Sequence, residues 1–267
     1  MIEQLRATHA AAAQIRRLSD AAKTKLLLQL AQAVEAACDA ILAANQLDLA
    51  KIDDADPKKD RLLLNPERIA ALAGSIREVA ALRDPCGAVL LDKILPNGLK
   101  LRKISVPLGV VGIIYESRPN VTLDVSALCL RSGNAAVLRG GSDALQTNRA
   151  LAAIIQDVLE QAGLSRDVVA LLPPDRELVK DMLTATRYID VIIPRGSDAL
   201  IRFVRENSLV PVIETGAGVC HTYVHESADL EKAKAIVVNA KVSRPSVCNS
   251  LDTIVIDSKI APAFLPL

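Results

Sequence analysis

A cysteine in the run Arg244-Pro-Ser-Val-Cys-Asn249 has the type and setting of a nucleophile. Pro245 fixes φ and donates no N–H, so neither a regular helix nor a central strand runs through it. The segment reads as a bend between a helical pattern upstream and the strand-like Thr253-Ile254-Val255-Ile256 downstream. A thiol at such a bend can reach a cleft, whereas one in an apolar stripe cannot. By itself Cys248 reads first as a small buried hydrophobe, and its weight as a nucleophile comes from the rest of the chain.

Two strand-to-helix junctions bear small residues, Arg139-Gly140-Gly141-Ser142 and Pro194-Arg195-Gly196-Ser197. Glycines let the backbone approach a phosphate, and a helix N-terminus behind them supplies N–H groups and a positive dipole end. Each junction also carries an arginine, whose planar fork suits a phosphate monoester. One such junction is a plain tight turn as readily as a site. Two at carboxyl ends of successive strands point to a nucleotide crevice, and Arg139 would favour a 2′-phosphate, hence NADP over NAD. Asn120, after Arg118-Pro119, either caps the helix beginning near Val121 or donates its amide to an oxygen gaining negative charge. Glu214 reads as a general base or a solvated carboxylate. Cys220-His221 is not a dyad, because neighbours on a strand face opposite ways.

The elements that must position these residues follow from periodicity. Residues 3 to about 52 have helical spacing, with Ser19-Asp20 as an N-cap, and Asn65-Pro66-Glu67 opens a helix to about Leu82. The period then changes to two: Val89-Leu-Leu91 and Leu99 to Ile104 flank Pro96-Asn97-Gly98, a hairpin signal. From Pro107 onward strands and helices alternate, as in parallel α/β folds. Strands are expected at 109–115, 135–138, 168–172, 189–193, 210–213 and 219–224, with helices at 121–130, 144–162, from Asp175, to about Glu206 and at 229–239.

Composition narrows the partners. The 267 residues are 51% hydrophobic with a formal net charge of +1, so no basic footprint for nucleic acid exists. Aromatics make up 2%, with no Trp, which removes base-stacking platforms. Five scattered cysteines form no Cys-x-x-Cys pair, against a zinc site or disulfide framework and in keeping with a reducing compartment, the cytoplasm by default. No apolar run approaches the roughly 20 residues of a membrane span.

The run Val106 to Asn120 resembles the aldehyde dehydrogenase strand that ends in an oxyanion-hole asparagine. Tyr115-Glu-Ser-Arg-Pro-Asn-Val-Thr122, Arg131-Ser-Gly-Asn-Ala-Ala-Val-Leu-Arg-Gly-Gly141, Ile193-Pro-Arg-Gly196, Gly218-Val-Cys-His221 and Arg244 to Asn249 resemble, more narrowly, the gamma-glutamyl phosphate reductase branch of that superfamily. The resemblance implies an α/β, aldehyde-dehydrogenase-like fold with a Rossmann-type cofactor domain, N-terminal helices and a β-hairpin arm. It implies NADPH-dependent reduction of glutamyl 5-phosphate to glutamate 5-semialdehyde through a Cys248 thioester, the second step of proline synthesis. Cys248 and Asn120 would then be catalytic, and 139–142 and Arg195-Gly196-Ser197 would hold the cofactor. The hairpin would serve a homo-oligomer, and a functional link to glutamate 5-kinase follows, while the length leaves no room for a kinase fused upstream. Arg244 is the candidate cation for lowering the thiol pKa, and a hydrolytic role for Glu214 is not expected. No metal is implied. The alternatives are a non-catalytic NADPH-binding module and a general aldehyde dehydrogenase. The expected domains are the N-terminal helices of the cofactor-binding domain at 1–86, the oligomerisation hairpin at 87–105, the NADP-binding α/β domain at 106–245 and the start of a catalytic domain at 246–267. The chain reads as C-terminally truncated, with about 150 further residues, an ordinary domain, missing.

Overall fold

The alanine- and leucine-rich N-terminal part folds into five helices, α1 (Ile2–Arg16), α2 (Asp20–Ala36), α3 (Cys38–Leu49), α4 (Lys58–Leu62) and α5 (Pro66–Ala81). Their starts follow local chemistry. Ser19 Oγ accepts from Ala22 N at 3.2 Å, and Asn65 Oδ1 accepts from Arg68 N at 2.7 Å. Pro66 sits in the first turn, where a missing N–H costs nothing. The computed structural model describes the whole chain except Asp54, Ala55, Pro57, Ser117, residues 215–217, Arg244, Ser246 and Cys248, and the side chains of Lys58 and Arg176. Among the described residues no single helix is long and apolar enough to cross a membrane.

The expected hairpin forms from β1 (Val89–Ile94) and β2 (Lys100–Ile104), paired antiparallel. Gly98 N donates to Leu95 O at 2.9 Å across Pro96-Asn97, and Leu95 N donates to Leu99 O at 2.8 Å. Gly98 has φ +85°, the left-handed position after a tight turn that a side chain would strain. Both faces of the ribbon are exposed along its length.

A parallel sheet follows, made of β3 (Val110–Tyr115), β4 (Ala135–Arg139), β5 (Val169–Leu171) and β6 (Val191–Arg195) in the order β5-β4-β3-β6. The intervening helices are α6 (Asn120–Arg131), α7 (Leu145–Gln161), α8 (Arg176–Leu183) and α9 (Asp198–Asn207). β3 is buried at all six positions, which is why it reads as a continuous apolar run rather than an alternating one. Two expectations change at the sheet margin. Of residues 210–213, only Val212 pairs, in one parallel bridge to Ile192. β6 runs on through Pro194, past its expected end at Ile193. Ile192 turns its N–H and C=O outward to Pro211 and Ile213, and Pro194, two residues on, faces the same way, so its missing N–H takes nothing from β3.

Residues 1–214 and 215–267 form separate compact units. In the second, β7 (Cys220–Val224) and β8 (Leu251–Ile256) pair in parallel around the connecting helix α10 (Leu230–Val242), and α11 (Ala261–Phe264) closes the chain. Val224, Val237, Leu251 and Phe264 make its core. The division expected at 245/246 falls inside this unit, between α10 and β8, whose Val237 and Leu251 share one core with Val224 of β7.

Asp48, fully buried, ties α3 to the start of α7. It accepts from Gln146 N at 3.1 Å, Thr147 N at 2.8 Å and Thr147 Oγ1 at 2.8 Å. Asn45 completes the joint, donating to Leu62 O at 2.8 Å and accepting from Leu64 N at 2.8 Å. Asp48→Ala strips the cap of α7 and leaves buried N–H groups unsatisfied, so it should lower the stability of residues 1–214 by about 2 kcal/mol or more. Urea unfolding monitored by circular dichroism reads the shift, and an unchanged midpoint would remove this role.

Candidate functional site

The strand order places β4 and β5 on one side of β3 and β6 on the other. The chain thus reverses at β3/β6, and the carboxyl ends of these two strands are where a parallel sheet takes a ligand. Glu116 leaves β3 at this point, and Gly196-Ser197 leaves β6 into α9. Ser197 caps α9, its Oγ accepting from Leu200 N at 3.3 Å. Glu116 Oε2 accepts from Ser197 N at 2.8 Å, and its Oε1 from the Ser197 hydroxyl at 3.2 Å. A Cβ at position 196 would lie 2.6 Å from that same Oε2. The predicted phosphate turn is thus an anion-accepting turn, and a carboxylate of the chain itself occupies it. Sequence reasoning passed over Glu116, although its place just after the strand was the available signal.

The second predicted turn differs from the reading in two ways. A 3₁₀ turn (Ser142–Ala144) separates Gly140-Gly141 from α7, and the N–H groups of Gln146 and Thr147 are held by Asp48. The α7 N-terminus therefore offers these groups to the chain and not to a ligand. Gly140 is small for an interior reason, since a Cβ there would meet Asn148 Nδ2 at 2.3 Å and Tyr115 at 3.1 Å. Gly141 is half-buried and Ser142 exposed. Arg139 ends β4 with Nη2 donating to Pro174 O at 2.7 Å, so its guanidinium is oriented toward the loop after β5. Arg195, exposed at the end of β6, accepts Glu116 N on its carbonyl at 3.2 Å.

Behind the turns lies a buried chain of hydrogen bonds. Thr122 Oγ1 donates to Asn148 Oδ1 at 2.9 Å and lies 2.7 Å from the Tyr115 hydroxyl. A hydroxyl has one hydrogen, so Tyr115 is the donor to Thr122. Burial pushes the Tyr115 hydroxyl up to about 12, and it stays a neutral phenol.

Asn120 is not a helix cap. Pro119 holds the cap position without a side-chain bond, Asn120 is the first residue of α6, and its Nδ2 donates to Asp124 Oδ2 at 2.9 Å. Burial raises the Asp124 pKa, and the Asn120 bond only partly opposes it. Glu214 pairs with Arg205 at 3.3 Å. On β7 the half-buried Cys220 alternates with the exposed His221, as expected of strand neighbours, and His221 Nδ1 lies 2.8 Å from Val219 O. Cys248 and Arg244 lie outside the described residues. The elements described on either side are α10, ending at Val242, and β8, starting at Leu251. Among the described residues no group of His, Cys, Asp and Glu could hold a metal ion.

The model of the aldehyde dehydrogenase family matches residues 2–267. A gamma-glutamyl phosphate reductase of Pelodictyon phaeoclathratiforme is 55% identical over 95% of this chain and 61% of its own length. A crystal structure of gamma-glutamyl phosphate reductase from Thermotoga maritima superposes with a TM-score of 0.89 at 39% identity, covering 99% of this chain and 65% of that one. The corresponding Saccharomyces cerevisiae structure gives 0.73 at 34% identity, covering 97% and 66%. The chain thus spans about three-fifths of the length of the curated relatives it matches.

Thr122→Val keeps the shape of the side chain and removes both hydrogen bonds. The buried Tyr115 hydroxyl and Asn148 carbonyl then lack partners, which should cost about 1–3 kcal/mol in urea unfolding. A change below about 0.5 kcal/mol would show that the network does not hold the turn.

Proposed function

Because this chain belongs to the aldehyde dehydrogenase family, we propose that it carries the cofactor site and the nucleophile of an NADPH-dependent gamma-glutamyl phosphate reductase. The observation that carries the reading is the anion-accepting turn at the switch point, where Ser197 N–H and hydroxyl already hold a carboxylate. A cofactor phosphate fits the same donors by displacing Glu116, and Gly196 keeps the approach open. Arg139, oriented by Pro174 O, is the residue proposed for a 2′-phosphate.

In this reading the Cys248 thiolate attacks the acyl carbon of glutamyl 5-phosphate. The Asn120 side-chain N–H is the donor proposed for the developing oxyanion. The carbon–oxygen bond to phosphate breaks, phosphate leaves with the electron pair, and a thioester remains. NADPH, when bound, supplies the hydride that reduces the thioester carbon. Expulsion of the thiolate then gives glutamate 5-semialdehyde. The substrate is an acyl phosphate, so the preceding reaction is a phosphoryl transfer to a γ-carboxylate, which places a glutamate kinase upstream.

The hairpin supports a homo-oligomer. A two-stranded ribbon is marginally stable alone, and Leu90, Ile94, Leu99 and Ile104 are 59%, 68%, 61% and 46% exposed on it. A second copy would cover this apolar surface.

Calorimetric titration of this chain should show NADPH binding more tightly than NADH. Arg139→Ala should erase that preference by weakening NADPH about 10- to 100-fold, the worth of a charge-assisted contact, and equal losses for both cofactors would remove the 2′-phosphate role. Cys248→Ala in the intact protein should retain NADPH binding and lose at least about a thousandfold in turnover. Retained turnover would end the thioester mechanism.

A further inference from the structure

We propose that Asp124 binds the α-ammonium group of the glutamyl substrate and so selects an amino-acid chain over a plain acyl chain. The inference rests on the acyl-phosphate reading above and extends it to a residue of the substrate end. Asp124 follows Asn120 by one helical turn and accepts its Nδ2–H at 2.9 Å. Asp124 is half-buried, and among the described residues that amide is the one side-chain donor on its carboxylate. Asp48, by contrast, is fully buried and collects three donors besides a contact with Lys51. A carboxylate drawn out of water with a single neutral donor is short of hydrogen bonds and charge compensation, and a cation is what it lacks.

The geometry suits that cation to this substrate. The amide of Asn120 has two N–H bonds at about 120°, one directed to Asp124 and the other available for the reacting oxygen. Two acceptors on one planar NH₂ group lie about 5 Å apart. In a glutamyl chain two methylenes separate the γ-carbonyl carbon from the carbon bearing the ammonium group. The carbonyl oxygen and ammonium nitrogen are five bonds apart, so they span up to about 6 Å when the chain is extended and less when it bends. An ammonium group hydrogen-bonded to Asp124 at about 2.8 Å is therefore within reach of a glutamyl chain whose carbonyl oxygen sits on the other N–H of Asn120. The ammonium group would add a charge-assisted bond to Asp124, the strong class of hydrogen bond.

The test uses the intact enzyme in the oxidative direction, with NADP and inorganic phosphate. It compares L-glutamate 5-semialdehyde with 5-oxopentanoate, the same chain without the amine. Asp124→Asn keeps an acceptor oxygen for Asn120 and removes the charge. The ratio of kcat/KM for the two aldehydes should favour the amine-bearing one in the wild type and fall about 10- to 100-fold in D124N, chiefly through KM. Asp124→Ser should give the same collapse, with NADPH affinity as the check that both variants fold. If both aldehydes lose equally and the ratio stands, Asp124 only orients Asn120 and the proposal fails. If the wild type oxidises neither aldehyde, the acyl-phosphate reading fails and takes the proposal with it.

Discussion

The carboxylate of Asp48, sealed from solvent at the start of α7, is the interaction on which the ligand end of the sheet depends. A helix leaves its first N–H groups without intrahelical partners, and α7 packs directly on β5. Asp48 answers those groups from α3, and Asn45, one turn earlier, pins the segment between α4 and α5. The N-terminal helices are therefore part of the cofactor fold. They set where α7 begins and with it the position of Asn148, whose amide fills the space above Gly140.

The same physics separates the two turns that looked equivalent. The N-termini of α7 and α9 each meet a distant carboxylate of the chain, Asp48 and Glu116. Asp48 is inaccessible, and removing it would strand several buried groups, so no ligand exchanges with it. Glu116 is half-exposed and its partner Ser197 is exposed. Replacing it exchanges one anion for another at the same donors, and its own charge returns to water. Of these two turns, the α9 turn is the one whose donors hold an exchangeable carboxylate.

This distinction was not legible in the sequence, although much else was. The caps at Ser19, Asn65, Asp175, Ser197 and Asp229 are local, each side chain accepting from an N–H two or three residues on. The hairpin and the alternation of strands and helices are local as well. Asp48 and Gln146 are 98 residues apart, and Glu116 and Ser197 are 81 apart; no local pattern marks either pair. Asn120 failed as a cap for a related reason. A residue can cap from the position before a helix, but Pro119 holds that position here and places Asn120 inside the first turn, where its amide meets Asp124. The division at 214/215 was missed because the strand pattern of β7 looks the same whether it joins the large sheet or begins a new one.

Glycine shows why motif reading overstates a site. Gly140 and Gly196 were read alike, as places where backbone approaches phosphate. A side chain at 140 would strike Asn148 and Tyr115, which are fixed by their buried bonds to Thr122. A side chain at 196 would strike the Glu116 carboxylate, which has solvent to move into. The first glycine preserves packing, and its replacement is resisted by a network that has no alternative arrangement. The second leaves room for Glu116, the group that the proposed cofactor phosphate would displace. Smallness is common to both, and what borders the missing Cβ decides which of them belongs to a binding site.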